Sequence, residues 1–190
     1  MARIRTFLAI DLGKKIRDRL VSFQENLAAD APDVKWVEPD NMHLTLFFLG
    51  EVDQREIIDI CRAAQKAIGE MRSFTVNIEG TGCFPNMRRP HVLWVGVGEG
   101  ADEVRAVHDA IETPLLDLGC YRREARAYTP HVTLGRVKGE EPNDALAKAL
   151  TKHQTWSAGE TLVREVHVMS SELTRDGPVY TVMGRAKLLP

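Results

Sequence analysis

The phrase HLTL at residues 43–46 returns as HVTL at residues 131–134, and each copy opens an apolar run. The first follows the turn-forming Pro39-Asp40-Asn41 and the second follows AYTP. Side chains alternate faces along a strand, so His43 and Thr45 share one face, and His131 and Thr133 share another. Leu44, Leu46, Val132 and Leu134 then point the opposite way, into a core. A chain that writes this pattern twice must hold two strands with apolar backs buried and polar fronts open. Two similar lobes facing each other across a cleft meet that requirement.

The rest of the chain supplies the lobes. Residues 4–10 read as a strand, and Ile16, Leu20, Phe23 and Leu27 then recur at helical spacing. A short strand at 34–37 and a strand at 42–49 follow. Residues 54–71 are helical in pattern, with Ile57, Ile58, Cys61, Ala64 and Ile68 as the expected core stripe. Strands are expected at 73–80 and 91–98, joined by the loop TGCFPNMRRP. Val104, Val107, Ile111, Leu115 and Leu118 predict a helix over 102–118 that Pro114 should kink or split. After the second H-x-T-L strand, a short helix is expected from Pro142 to His153. Strands at 161–173 and 178–188, turning at Asp176-Gly177, close the chain. So many strand–strand neighbours predict an α+β fold: one domain over 1–190, bilobal and pseudo-symmetric, with largely antiparallel sheets flanked by helices.

Composition narrows the functional classes. A formal net charge of -2 gives no support for a broad basic face for long nucleic acid, though a local basic cluster is still compatible with it. Cys61, Cys83 and Cys120 are odd in number and contain no C-x-x-C pair, which predicts free thiols in a reducing compartment. No apolar run approaches the roughly 18–20 residues that span a bilayer. The opening MARIRTFLAIDLGKK reads as a first strand, not a signal peptide. The expected location is the cytoplasm, and the expected state is a monomer.

The paired phrases also carry a chemistry. Histidine and threonine two residues apart on a strand have Cα atoms roughly 6.6–6.8 Å apart, so both can touch one tetrahedral group. Two imidazoles with ordinary pKa near 6.5 can move protons on both sides of a phosphorus centre, one neutral and one protonated. The threonine hydroxyls can donate to non-bridging oxygens, where transition-state charge sits. This scheme demands no metal and no other cofactor, and neither phrase has an H-x-x-x-H or Cys/His cluster around it. A lone H-x-T-apolar string is weak evidence, and two partly buried structural histidines are the bland alternative.

HLTLFFLG and HVTLGRV, with FLAIDL, CFPNMRRPHVLWVGV and SSELTRDGPVYT around them, resemble the two-histidine (2H) phosphoesterase superfamily. Within it, the resemblance is to the RNA 2',3'-cyclic phosphodiesterases, historically called 2'-5' RNA ligases, and it runs over essentially the whole chain. It implies metal-independent hydrolysis of an RNA 2',3'-cyclic end, or a small cyclic nucleotide, to a 2'-phosphomonoester. It also implies His43 as proton donor and His131 as proton acceptor.

Four further residues are candidates for substrate binding: Thr45, Thr133, Arg136 and Phe84. The family often carries a phosphate-contacting arginine where Arg136 stands, but strict alternation puts 136 on the wrong face unless the strand twists, bulges or ends there. Phe84 could stack on a base or simply pack in the core. Arg88, Arg89, Arg122, Arg123 and Arg126 are candidates for steering phosphates or for plain solvated charge, and Tyr180 for packing or substrate contact. His91, His108 and His153 are expected to be structural or exposed, and His91 replaces an arginine common in relatives. His167 alternates with Val166 and Val168 and could face the cleft. Competing readings keep the site but change its use: another cyclic nucleotide such as ADP-ribose 1'',2''-cyclic phosphate, 2'-5' ligation of tRNA halves, or non-catalytic capture of a nucleotide end.

Overall fold

The two H-x-T-L strands lie side by side, and the whole sheet is arranged around them. The computed structural model describes residues 2–29, 31, 33–139, 144–175 and 177–190. The elements are β1 (Arg3–Ile10), α1 (Gly13–Ala28), β2 (Val34–Trp36), β3 (Leu44–Asp53), α2 (Ile57–Ile68), β4 (Phe74–Asn86) and β5 (Arg89–Val97). Then follow α3 (Ala101–Asp117), β6 (His131–Val137), α4 (Asp144–Lys152), β7 (Ser157–Val163), β8 (Glu165–Thr174) and β9 (Gly177–Lys187). The strands form one sheet in the order β7-β4-β5-β6-β3-β1-β8-β9, with β2 paired to β6 beyond the end of β3. All pairings between these strands are antiparallel.

The two halves of this order correspond. A shift of 88 residues (43 to 131) carries β1 onto β5, α1 onto α3, β3 onto β6 and β4 onto β8. One lobe is β3-β1-β8-β9 and the other is β6-β5-β4-β7. Each lobe therefore takes its third strand from the other half of the chain: β4 lies beside β5, and β8 beside β1. The halves are interleaved, and neither lobe is a contiguous stretch. Helix α1 packs on β7, α4 on β4, and α2 on β8, β9 and α3. Leu44, Leu46, Val132 and Leu134 are buried in the same core as these helices. Each such side chain contributes about 1.5–3 kcal/mol relative to exposure.

Several expectations are corrected. The segment 161–173 is two strands, not one: Val163 and Val166 are both buried, an odd spacing that breaks the two-residue period at Arg164. There the chain passes from one end of the sheet to the other lobe. The loop expected at 81–90 is mostly hairpin, because β4 runs through Cys83 and Phe84 to Asn86. Pro85 is accommodated at a register shift, where a missing N–H costs no ladder bond. In α2 the buried stripe is Ile57, Ile60, Ala64 and Ile68, and Ile58 is 59% exposed. Helix α3 is not split by Pro114, and Leu118 lies beyond its end and is exposed. Pro142 and Asp176 lie outside the described residues.

The strand carrying His131 is also bulged. Thr133 sits opposite Trp94 while Gly135 sits opposite Leu93, leaving Leu134 as an extra residue. Leu134 and Gly135 are consecutively buried, so the alternation changes phase. Gly135 is required by close approach: a Cβ there would meet Val34 Cγ1 at 2.6 Å and the Lys35 carbonyl at 3.1 Å. Gly135→Ala should therefore push β2 off the sheet and cost about 1–3 kcal/mol. Urea denaturation should show a lower midpoint with an unchanged slope.

Candidate active site

Leu44 pairs with Val132, and this is the single residue pair of the β3–β6 ladder. These two residues are equivalents under the 88-residue shift, so the pseudo-twofold axis passes between them. Extending the register by one residue sets His43 across from Thr133 and Thr45 across from His131. The histidines then stand at diagonal corners, with the threonines at the other two. All four side chains are half-buried, while the residues between them are fully buried behind.

Both imidazoles are braced alike, from the backbone two residues upstream. His131 Nδ1 lies 2.7 Å from the Thr129 carbonyl, and His43 hydrogen-bonds the Asn41 backbone. With Nδ1–H donating to a carbonyl, neutral His131 carries its lone pair on Nε2. His43 stacks on Phe7 at 4.9 Å between centroids and meets the edge of Tyr180 at 5.4 Å. His131 meets the edge of Phe84 at 5.0 Å and tilts against Trp94 at 6.2 Å. Trp94 has room for its indole because Gly82 and Gly96 lie beneath it; a Cβ at Gly82 would overlap the ring. The indole Nε1 is buried without a hydrogen-bond partner among the described residues.

These aromatic walls dry the site and shift its protonation. Burial lowers the His43 pKa to about 4, opposed in part by the Asn41 bond and by the Asp11 carboxylate. Burial also lowers His131, opposed by the Thr129 bond and reinforced by the Arg136 guanidinium. The charged neighbours thus differ in sign: a carboxylate favours a cation at His43, and a guanidinium disfavours one at His131.

After Leu44 and Val132 the two strands splay apart. On one side β2 fills the gap. On the other, a cavity of about 700 Å³ opens between β3, α3 and the segment leading into β6. Its lining includes Thr45, Phe48, Phe84, His131, Thr133 and Arg136, together with Arg105, Arg123 and Arg126; His43 is not part of it. The Tyr128 hydroxyl spans the splay and donates to the Thr45 carbonyl at 2.8 Å. Tyr128 is held in turn by His108, which is sandwiched between it (4.1 Å) and Phe47 (4.3 Å).

The structure therefore brings five of the six candidates into one cavity and sets the sixth, His43, at its edge. The bulge at Leu134 resolves the conflict over Arg136, turning it onto the face of His131 and Thr133. Phe84 is a half-buried wall of the site against His131, not a core residue. Tyr180 packs on His43 itself. His167 faces Glu165 at 2.7 Å, beside Arg185, and His91 is exposed. Arg88 and Arg89 are exposed at the β4–β5 tip, and Arg123 pairs with Glu112 at 2.7 Å. Phe7, Trp94, Tyr128 and Asp11 were not legible as site residues. Phe7 and Trp94 sit in apolar strands, where nothing local separates a cleft-facing ring from a core ring.

Among the described residues, no group of three or more His, Cys, Asp or Glu side chains is arranged to hold a metal ion. Nor is any described helix long and apolar enough to cross a membrane. The three cysteines are free, and burial pushes their thiols up.

The pattern of the family described as LigT like Phosphoesterase matches the chain twice, over residues 10–94 and 95–180, one match for each H-x-T strand. The chain belongs to this family. It is 36% identical over 181 residues to an RNA 2',3'-cyclic phosphodiesterase of Methanothermobacter thermautotrophicus, covering 95% of this chain and 97% of that one. It is also 36% identical over 169 residues to the enzyme of the same name from Aeropyrum pernix, covering 89% and 94%. A solved structure from Thermus thermophilus superposes with a TM-score of 0.81 at 28% identity, over 97% and 98% of the chains. E. coli LigT, solved with 3'-AMP, shares the fold at a TM-score of 0.78 and 24% identity over the full length of both.

Burying a neutral histidine leaves a signature in stability. The folded His43 pKa of about 4 lies below the ordinary 6.5, so between these values the unfolded chain binds more protons and stability rises with pH. The contribution is complete above about pH 6.5 and is lost as pH falls to about 4, amounting to about 3 kcal/mol. His43→Gln should lack this component, so the stability gap between wild type and variant should shift by about that amount across the window in urea titrations.

Proposed function

We propose that the protein hydrolyses the 2',3'-cyclic phosphodiester at the end of an RNA to a 2'-phosphomonoester, with His43 as acid and His131 as base. The observation that carries the reading is the Leu44–Val132 pair, which sets two backbone-braced imidazoles and two hydroxyls around one point. The names of relatives at 36% identity over most of the chain support the same reaction.

The atoms fit the reaction as follows. Neutral His131 Nε2 takes a proton from water as the oxygen attacks phosphorus. Imidazolium at His43 gives its proton to the departing ribose 3'-oxygen, leaving the phosphate on the 2'-oxygen. Thr45 and Thr133 donate to the non-bridging oxygens, and Arg136 adds a positive charge on the same face. Burial acts most strongly on both rings; beside it, Asp11, which also pairs with Arg17, favours a cation at His43, and Arg136 disfavours one at His131, the sense the assignment needs. A phosphate anion between the rings raises the pKa of the imidazolium, offsetting the desolvation that keeps His43 neutral in the empty site. Phe84 and Trp94 hold His131 and offer an aromatic surface to the terminal nucleoside. Pure binding of a nucleotide end has no need of two proton-transfer groups.

The strand exchange between lobes makes residues 1–190 one working domain, and a monomer suffices because one chain supplies every named group. The free cysteines fit a reducing compartment such as the cytoplasm.

With EDTA present, an RNA ending in a 2',3'-cyclic phosphate should be converted to a 2'-phosphate end. A 3'-phosphate product, or no turnover, would sink the mechanism. His43→Ala and His131→Ala should each lower kcat by about two to four orders of magnitude. The pH profile tests the assignment further. kcat/KM reports the free protein, where burial holds both imidazoles below their ordinary pKa, so its alkaline limb should lie below pH about 6.5. The alkaline limb of kcat, which reports the occupied site, should lie at higher pH; coincident limbs would contradict the role given to the bound anion.

A further inference from the structure

Strand β2 carries one charged side chain, Lys35, and it pairs directly opposite Arg136 on β6. Residues directly opposite on an antiparallel ladder project to the same face, with Cα atoms about 4.5–5.5 Å apart. Like charges in that position are destabilising. Both side chains are exposed, and neither makes an ion pair among the described residues. The contact is also enforced. Trp36 pairs with Gly135 and Val34 with Val137, the Val37 amide donates to the Leu134 carbonyl at 2.8 Å, and the buried Gln24 side chain donates to the same carbonyl at 2.8 Å. The bulge that turns Arg136 into the cleft is thus the feature that sets Lys35 beside it, at the cleft's edge. Two uncompensated cations fixed side by side next to a phosphoryl site form a place for a second anion.

We propose that Lys35 binds the phosphodiester one nucleotide upstream of the cyclic end, with Arg136 lying between that phosphate and the cyclic one. This inference rests on the phosphodiesterase reading above and goes beyond it by naming the residue that selects an oligonucleotide end over a free cyclic mononucleotide. Two phosphates facing two cations balance charge for charge, whereas a cyclic mononucleotide leaves Lys35 uncompensated. Lys35 is then a specificity residue that separates an RNA end from a free cyclic mononucleotide, and it touches no reacting atom. The Lys35 stem stands on a three-residue strand and its ammonium is a flexible point charge, suited to a backbone phosphate and not to reading a base.

The test compares two substrates, a three-nucleotide oligoadenylate ending in a 2',3'-cyclic phosphate and adenosine 2',3'-cyclic phosphate, with wild type, Lys35→Gln and Lys35→Arg. Lys35→Gln should lower kcat/KM on the trinucleotide about 5–20-fold and leave the mononucleotide within about twofold, with Lys35→Arg retaining most of the wild-type rate. The slope of log kcat/KM against log salt on the trinucleotide should become shallower by about 0.7, the increment for one single-strand phosphate contact. Equal losses on both substrates would make Lys35 part of the cyclic-phosphate site, and no loss on either would make it a solvated charge. Each of these overturns the proposal while leaving the phosphodiesterase reading intact. If the wild type turns over neither substrate, that reading fails and the proposal falls with it.

Discussion

One backbone pairing, Leu44 with Val132, carries the architecture of the site. Because these residues are equivalent in the two halves of the chain, pairing them puts a pseudo-twofold axis between the strands. Everything one strand offers is then matched by the other across that axis. The two strands pair in register only there and separate on both sides. A longer ladder would have filled the cleft with strand. No contact at all would have left two half-sites apart. Exchange of β4 and β8 between the lobes and the Tyr128 bond to the Thr45 carbonyl keep this narrow joint from opening.

The environment of the joint then decides its chemistry. Phe7 and Tyr180 on one side, and Phe84 and Trp94 on the other, take the imidazoles out of water and favour their neutral forms. That is a cost in an empty site and becomes an asset once an anion enters, since the same low dielectric strengthens its attraction for an imidazolium. The twofold likeness is broken by charge, Asp11 near one ring and Arg136 near the other. It is broken again by size, since Phe48 occupies in one lobe the place that Arg136 holds in the other. An exposed aromatic on one side and an arginine on the other give the cleft a direction.

Much of this was readable along the chain, for a definite reason. Alternation is a local property of strands, so His43 with Thr45 and His131 with Thr133 could be placed on common faces without knowing what lay beside them. The interior stripe of α1 followed in the same way from spacing. Errors arose where a local rule was overridden by contacts from elsewhere. Ile58 belongs to no core because α2, packed on α3, β9 and β8, buries the stripe Ile57, Ile60, Ala64 and Ile68 instead. Cys83 and Phe84, beside turn-forming residues, remain in strand because β5 pairs with them. Arg136 looked misdirected because a bulge is set by the neighbouring strands, β5 and β2, and not by the residues in which it occurs.

The sequence by itself determined that His and Thr of each phrase share a face, that Ile16, Leu20, Phe23 and Leu27 form the buried stripe of α1, and that the same half-site was written twice. It determined these because strand and helix periods act over a few residues. Tertiary structure decided that the half-sites meet, through which pair, and with what surroundings. Those depend on strand order, on the exchange of β4 and β8, and on rings such as Phe7 and Trp94 that arrive from distant parts of the chain. It also set the surroundings of two histidines that are the same in local sequence logic: burial lowers the pKa of both, and Asp11 and Arg136, brought close only by folding, act on them with opposite sign.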